Sequence, residues 1–173
     1  MSWTAPEITR TPPPNVADER AMLQAWLDFH RQTLLFKCAG LDADQLRRRA
    51  VEPSTLTLLG LVRHMAEVER SWFRRRSLGQ DIGFIYCTDA SPDGDFDDVG
   101  PADPEADFAT YRTECDQADA AAKDLPLDHT FYNPRREAMQ SLRWVYVHMI
   151  EEYARHNGHA DLLRERIDGA TGA

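Results

Sequence analysis

Apolar residues recur at three- and four-residue intervals through four long stretches of this chain, and each stretch is bounded by residues that start or stop helices. That spacing is the period of an α-helix with one face turned to a core. It predicts a first helix from about Asp18 to Ala39, with Met22, Trp26, Phe29, Thr33 and Phe36 as its stripe and Gly40 as its stop. Asp42 and Gln45 then have capping-box spacing before a short helical turn. A second helix follows Pro53-Ser54, with Ser54 as N-cap, and runs to about Leu78 with Leu61, Met65, Val68 and Trp72 facing inward. A third spans about Pro104 to Asp124, and a fourth follows Pro134 and continues to about Ile167. Four such helices bury their stripes together most simply in an all-α four-helix bundle.

Between the second and third helices the period disappears. Residues 80–103 are rich in Asp, Gly and Pro and read as a long acidic loop, with a short extended piece at Phe84–Cys87. Asp93, Asp95 and Asp97 have the opening spacing of an EF-hand, but the glycine after Asp97 and the later bidentate Glu are missing, so no calcium site is expected.

A chain of 173 residues suits one domain. We read an extended N-terminal arm over residues 1–16, stiffened by Pro12-Pro13-Pro14, a single helical domain over 17–168 and a flexible tail over 169–173. The net charge of −9 argues against nucleic acid, which needs a basic stripe, and against docking on anionic lipid. The runs Arg47–Arg49 and Arg74–Arg76 are flanked by acidic segments and read as solvated helix faces. No apolar run approaches the ~20 residues that span a bilayer, and the N-terminal segment lacks the apolar stretch of a secretory signal, so the expected location is the cytoplasm. Cys38, Cys87 and Cys115 are far apart without a CxxC and are expected to be small hydrophobes, not a disulfide or thiolate zinc site.

The chemistry gathers on two of the helices. Glu152 and His156 are one turn apart, and His156 lies within the apolar stripe formed by Val145, Met149 and Leu163. A carboxylate so close to a core face is costly unless something compensates it, and a His at i+4 reaches the same ion. On the second helix His64 sits at the margin of its stripe, with Gly60 one turn earlier leaving space beside it. One His from one helix with Glu and His from another makes a three-ligand set with an open position, the pattern of catalytic zinc. By spacing alone, His148, Glu152 and His156 form an equally legal set. So does the plainer alternative in which Glu152 pairs with an arginine such as Arg155 or Arg63.

Two stretches carry a family resemblance: Ser54–Phe73, STLTLLGLVRHMAEVERSWF, and His148–Glu165, HMIEEYARHNGHADLLRE. Together they closely resemble the DinB-like superfamily, most of all its DUF664 branch, which includes relatives of mycothiol-dependent maleylpyruvate isomerase. The resemblance covers about Ala17 to Ile167. It implies a four-helix bundle holding a divalent metal, zinc first and nickel or iron as alternatives. Its ligands would be His64 of the Leu-x-x-His pattern with Glu152 and His156 ahead of Gly158, leaving His148 to the pocket wall. It also implies a thiol S-transferase or isomerase, in which the metal activates mycothiol or a similar small thiol toward an electrophilic substrate. Arg63, Arg155 and His159 are the candidates for holding the thiol. The competing readings are a non-catalytic metal-binding bundle acting in stress response and a metal-dependent hydrolase. A homodimer paired through an exposed helix face is also expected.

Overall fold

A computed structural model describes residues 3–172. The chain is mostly helical, 55% helix and 6% strand, and the described residues form six α-helices and one small two-stranded sheet. Helix α1, Glu19–Cys38, starts where the Asp18 carboxylate accepts from the Ala21 N–H. The expected capping box between Asp42 and Gln45 opens α2, Ala43–Leu46. Helix α3, Leu58–Glu69, is capped by Thr57 and not by Ser54, because the Thr57 hydroxyl accepts from the Gly60 N–H at 2.9 Å while Ser54 reaches only Leu56.

Helix α3 does not stop at Glu69. It widens into a π-helical segment, Arg70–Arg76, that ends where the Ser77 hydroxyl donates to the carbonyls of Trp72 and Phe73. The acidic loop holds a single helical turn, α4, Gly94–Asp97, and no strand at Phe84–Cys87. Helix α5, Pro104–Ala122, has Asp103 as cap and Pro104 in its first turn.

The fourth long helix begins later than the sequence suggests. Residues 130–141 form a hairpin, β1 (Thr130–Asn133) paired antiparallel with β2 (Ala138–Ser141), and α6 runs only from Leu142 to Asp168. Pro134, read as a helix start, instead follows Asn133 at the turn, where Asn133 accepts from the N–H groups of Arg135 and Arg136. Ser141 then caps α6 by accepting from Trp144 N–H, and Gly169 closes it at φ 81.

The core face of α1 also differs from expectation. Leu27, Leu34 and Cys38 are fully buried, whereas Trp26 keeps 41% exposure. The Phe29 and Phe36 side takes the N-terminal arm instead, with the Arg10 guanidinium 5.3 and 4.4 Å from those two rings. The arm continues into a backbone pairing of Ala5 with Gly40 and Leu41. The first two residues of the arm and the last of the tail lie outside the described residues. Helix α1 packs mainly on α6, and α3 mainly on α5, while α3 also touches α1 and α6. No described helix is long and apolar enough to cross a membrane.

One ion pair sits where these helices meet. Arg31 of α1 donates Nε and Nη2 to the two carboxylate oxygens of Glu69 at 2.7 and 2.8 Å, and Glu69 is fully buried. Tyr153 of α6 donates to the same carboxylate at 2.8 Å, and the Tyr111 hydroxyl of α5 lies 2.9 Å from that of Tyr153. Glu69→Ala would leave the buried Arg31 charge with only the half-exposed Asp28 and Asp119, and urea unfolding should register a loss of about 3 kcal/mol. Asp119→Ala removes a half-exposed partner of the same arginine and should cost less than about 1 kcal/mol. Equal losses would contradict this assignment.

Candidate metal centre and its cleft

His64 on α3 faces Glu152 and His156 on α6, and one ligand atom from each of the three lies within 4.8 Å of the others. The His64 and His156 rings meet edge to face at 4.8 Å. The turn α4 makes this geometry specific. Phe96 packs over Gly60, one turn before His64, where a Cβ would meet its ring at 3.4 Å and the Thr57 hydroxyl at 3.1 Å. Phe96 in turn stacks on His64 with ring centres 4.5 Å apart. Beside it, buried Asp95 sits with Oδ2 2.7 Å from His64 Nδ1. A carboxylate on Nδ1 fixes the ring and leaves Nε2 for the cleft, the arrangement that commonly backs a metal-bound histidine. Burial alone would raise the Asp95 carboxyl. The hydrogen bond and charge of His64, with smaller help from Cys87 and the Phe96 N–H, outweigh burial and hold it below its usual value.

Glu152 lies between two imidazoles. Its oxygens are 3.4 Å from His148 Nε2 and 3.5 Å from His156 Nε2. Both separations exceed the roughly 2.7–3.2 Å of a direct N–H···O hydrogen bond. The other ring nitrogen of His156, Nδ1, is buried and has no hydrogen-bond partner, and the same holds for His159 Nδ1. Burial, with the positive fields of His64 and His159 behind it, pushes His156 down to about 4. His156 is therefore neutral near pH 7, the form a metal requires. A set of donors with a carboxylate at its centre, a neutral imidazole and an unspent buried nitrogen fits a divalent ion better than a self-satisfied hydrogen-bond network.

The centre opens on a cleft of about 720 Å³ whose lining includes His64, Glu152, His148, Trp72, Phe84 and Phe96. One wall is the acidic loop; Arg63 and His64 hold its α4 end to α3, and Glu67 holds the stretch before it. Buried Glu67 accepts from the consecutive N–H groups of Ile85, Tyr86 and Cys87 at 2.8–3.1 Å.

The remaining sequence candidates fall in different places. Arg63 is buried and donates to the carbonyls of Asp95 and Gly94 at 3.1 and 3.0 Å, with its guanidinium 3.9 Å from the Tyr86 ring. Arg155 is exposed, pairs with Glu151 and does not line the cleft. His159 is half-buried, its ring 5.4 Å from that of His156. The set His148, Glu152 and His156 does not converge. Among the described residues the second group that does is His148, Glu151 and Glu152, and no such group occurs around Asp93–Asp97. The Arg74–Arg76 run is not a simple solvated face, because Arg74 reaches buried Glu114 at 3.1 Å and half-buried Arg76 lines the cleft. Sequence reasoning missed Asp95, which nothing distinguishes from its acidic neighbours. It also missed Glu67, whose place one turn from His64 was the available signal.

A family model described as Mycothiol-S-transferase matches residues 22–169. No curated protein and no solved structure matches the chain.

The depressed His156 value carries a sign for the metal-free protein. Because the folded state resists the proton that the unfolded state accepts near the ordinary histidine value of 6.5, stability is lost as pH falls from about 6.5 toward about 4. Thermal unfolding of chelator-treated protein across that range should show the fall, and His156→Gln should flatten it.

Proposed function

The chain belongs to the mycothiol-S-transferase family, a DinB-like family, and from that premise we propose that it transfers a small thiol, mycothiol, to an electrophile at a metal held by His64, Glu152 and His156. The observation that carries this reading is the convergence of those three donors beside an open cleft, with Asp95 behind His64. Two imidazoles and one carboxylate with room for a further ligand suit zinc, and nickel or iron accept the same donors. When bound, such a metal would favour the thiolate form of a thiol beside it and so supply the nucleophile.

The protein's own part is positional. Asp95 and Phe96 fix the plane of the His64 ring, and Glu152 is kept between His148 and His156. Trp72, Val68 and Phe96 present apolar surface that excludes water around a reacting sulfur. Of the three residues read as thiol-holding, His159 stays nearest the centre. Arg63 would serve by gripping Gly94 and Asp95, and Arg155 would act only from outside the cleft. The pairing of α1 with α6 and of α3 with α5 supports the family's four-helix bundle, with the hairpin set between α5 and α6.

Elemental analysis of untagged protein tests the centre. Wild type should carry about one metal per chain, lost in His64→Ala and Glu152→Ala with helicity retained. Asp95→Asn should bind it about 10–100-fold more weakly. Conjugation of a bimane electrophile should require both the metal and added mycothiol. Wild type that stays metal-free after reconstitution would sink this reading, and turnover without thiol would replace it with hydrolysis.

A further inference from the structure

The cleft has a second pole. Arg76 from the π-helical segment and Arg135 and Arg136 from the hairpin turn line the same cleft as His64 and Glu152. We propose that these three arginines bind a carboxylate on the electrophilic co-substrate, so that the cleft selects an anionic electrophile and turns its reactive end toward the metal pole. The proposal rests on the S-transferase reading for the word electrophile, but the anion site itself stands on its own geometry.

What sets these residues apart is their gathering in one cleft without a carboxylate partner. The arginines beside them on α3 and the π-helical segment do have acids: Arg63 has Asp107, and Arg70 and Arg74 share Glu114. Among the described residues none of Arg76, Arg135 and Arg136 has an ion-pair partner, and none of their guanidinium groups has a protein acceptor. Asp89 and Asp93 share the cleft but form no ion pair with them. Burial pulls Arg76 down to about 10, and the charges of Arg135, Arg75 and Arg136 add to the effect. Arg135 and Arg136 are exposed and screened by water, so the cost of the gathering falls on half-buried Arg76, in a chain of net charge −9 that has carboxylates to spare. A bound anion removes that cost.

Aromatic contacts hold two of the arginines in place while leaving their N–H donors free. Arg76 lies 4.3 Å over Trp72 and Arg136 lies 5.0 Å over Trp144. The two indoles are 5.2 Å apart, and His148 touches both, at 4.6 and 4.8 Å. His148 in turn neighbours Glu152, so one continuous stack links the cationic pole to the metal pole. The turn is equally fixed. Asn133 accepts from the N–H groups of Arg135 and Arg136 and donates to Gln140 across the hairpin at 2.6 Å. A planar guanidinium suits a carboxylate better than a lysine ammonium would.

Two near-isosteric alkylating agents, iodoacetate and iodoacetamide, test the selection on the metal-loaded full chain with mycothiol. In either reaction the thiol sulfur bonds to the methylene carbon, iodide leaves with the C–I electron pair and the thiol proton passes to water. In Arg135→Ala/Arg136→Ala, kcat/KM for iodoacetate should fall about tenfold relative to iodoacetamide, through KM, with no change in the KM for thiol. Equal loss with both agents, or a raised KM for thiol, would overturn the proposal. Binding is read separately on metal-free protein by tryptophan fluorescence, with benzoate against benzamide. Saturable, salt-sensitive binding of benzoate alone, lost in the double variant and in Arg135→Gln, is the expected result. No preference for benzoate overturns the anion site whatever the turnover. A benzoate preference with neither iodo compound consumed overturns the transferase reading and leaves the anion site standing.

Discussion

The buried contact between Arg31 and Glu69 is the constraint around which the helices are arranged. Apolar stripes can slide or rotate past one another at modest cost, whereas a charge without water cannot leave its partner. Each of the four long helices contributes to the network: Arg31 from α1, Glu69 from α3, Tyr111 from α5 and Tyr153 from α6. Tyr153 directly follows Glu152 in the sequence and precedes His156 by less than one turn. Glu69 lies little more than one turn beyond His64. Fixing the rotation of α3 and α6 at Glu69 and Tyr153 therefore fixes which side chains those helices present to each other at His64, Glu152 and His156.

The cleft beside that centre is made by departures from regular helix. The π-helical segment after Glu69 changes the step of the chain, and its arginines divide: Arg70 and Arg74 go to Glu114 on α5, while Arg76 stays with the cleft. Such widened turns are frequent where a helix must serve a site. The hairpin turn brings Arg135 and Arg136 to the lining of the same cleft as His64. The acidic loop covers the His64 side of the cleft through α4, whose Asp95 and Phe96 both engage His64.

The long helices and the three convergent donors were legible because period and i, i+4 spacing are properties of one helix at a time. The inward face of α1 was not. That helix has apolar residues on two sides, and the arm, through Arg10, takes the side that holds Phe29 and Phe36. The hairpin was hidden because Pro134-Arg-Arg-Glu-Ala-Met reads as a helix start, while the strand signal is only the short run Thr130-Phe-Tyr. Asp95 was invisible for another reason. Its role depends on where a loop without periodicity places one of several aspartates, and that is set by contacts from α3, the Arg63 grip on the Gly94 and Asp95 carbonyls among them.

The tether at Glu67 bears on how the loop is seated and how the cleft is shaped. Its carboxylate grips three successive main-chain amides, a group that every residue except proline carries. This grip therefore does not depend on which side chain Ile85 carries, although Tyr86 adds its ring under Arg63. Further along the same wall Asp95 and Phe96 are committed by their side chains to His64. Seating the loop and shaping the cleft thus fall partly to different groups, main-chain amides for the first and side chains for the second.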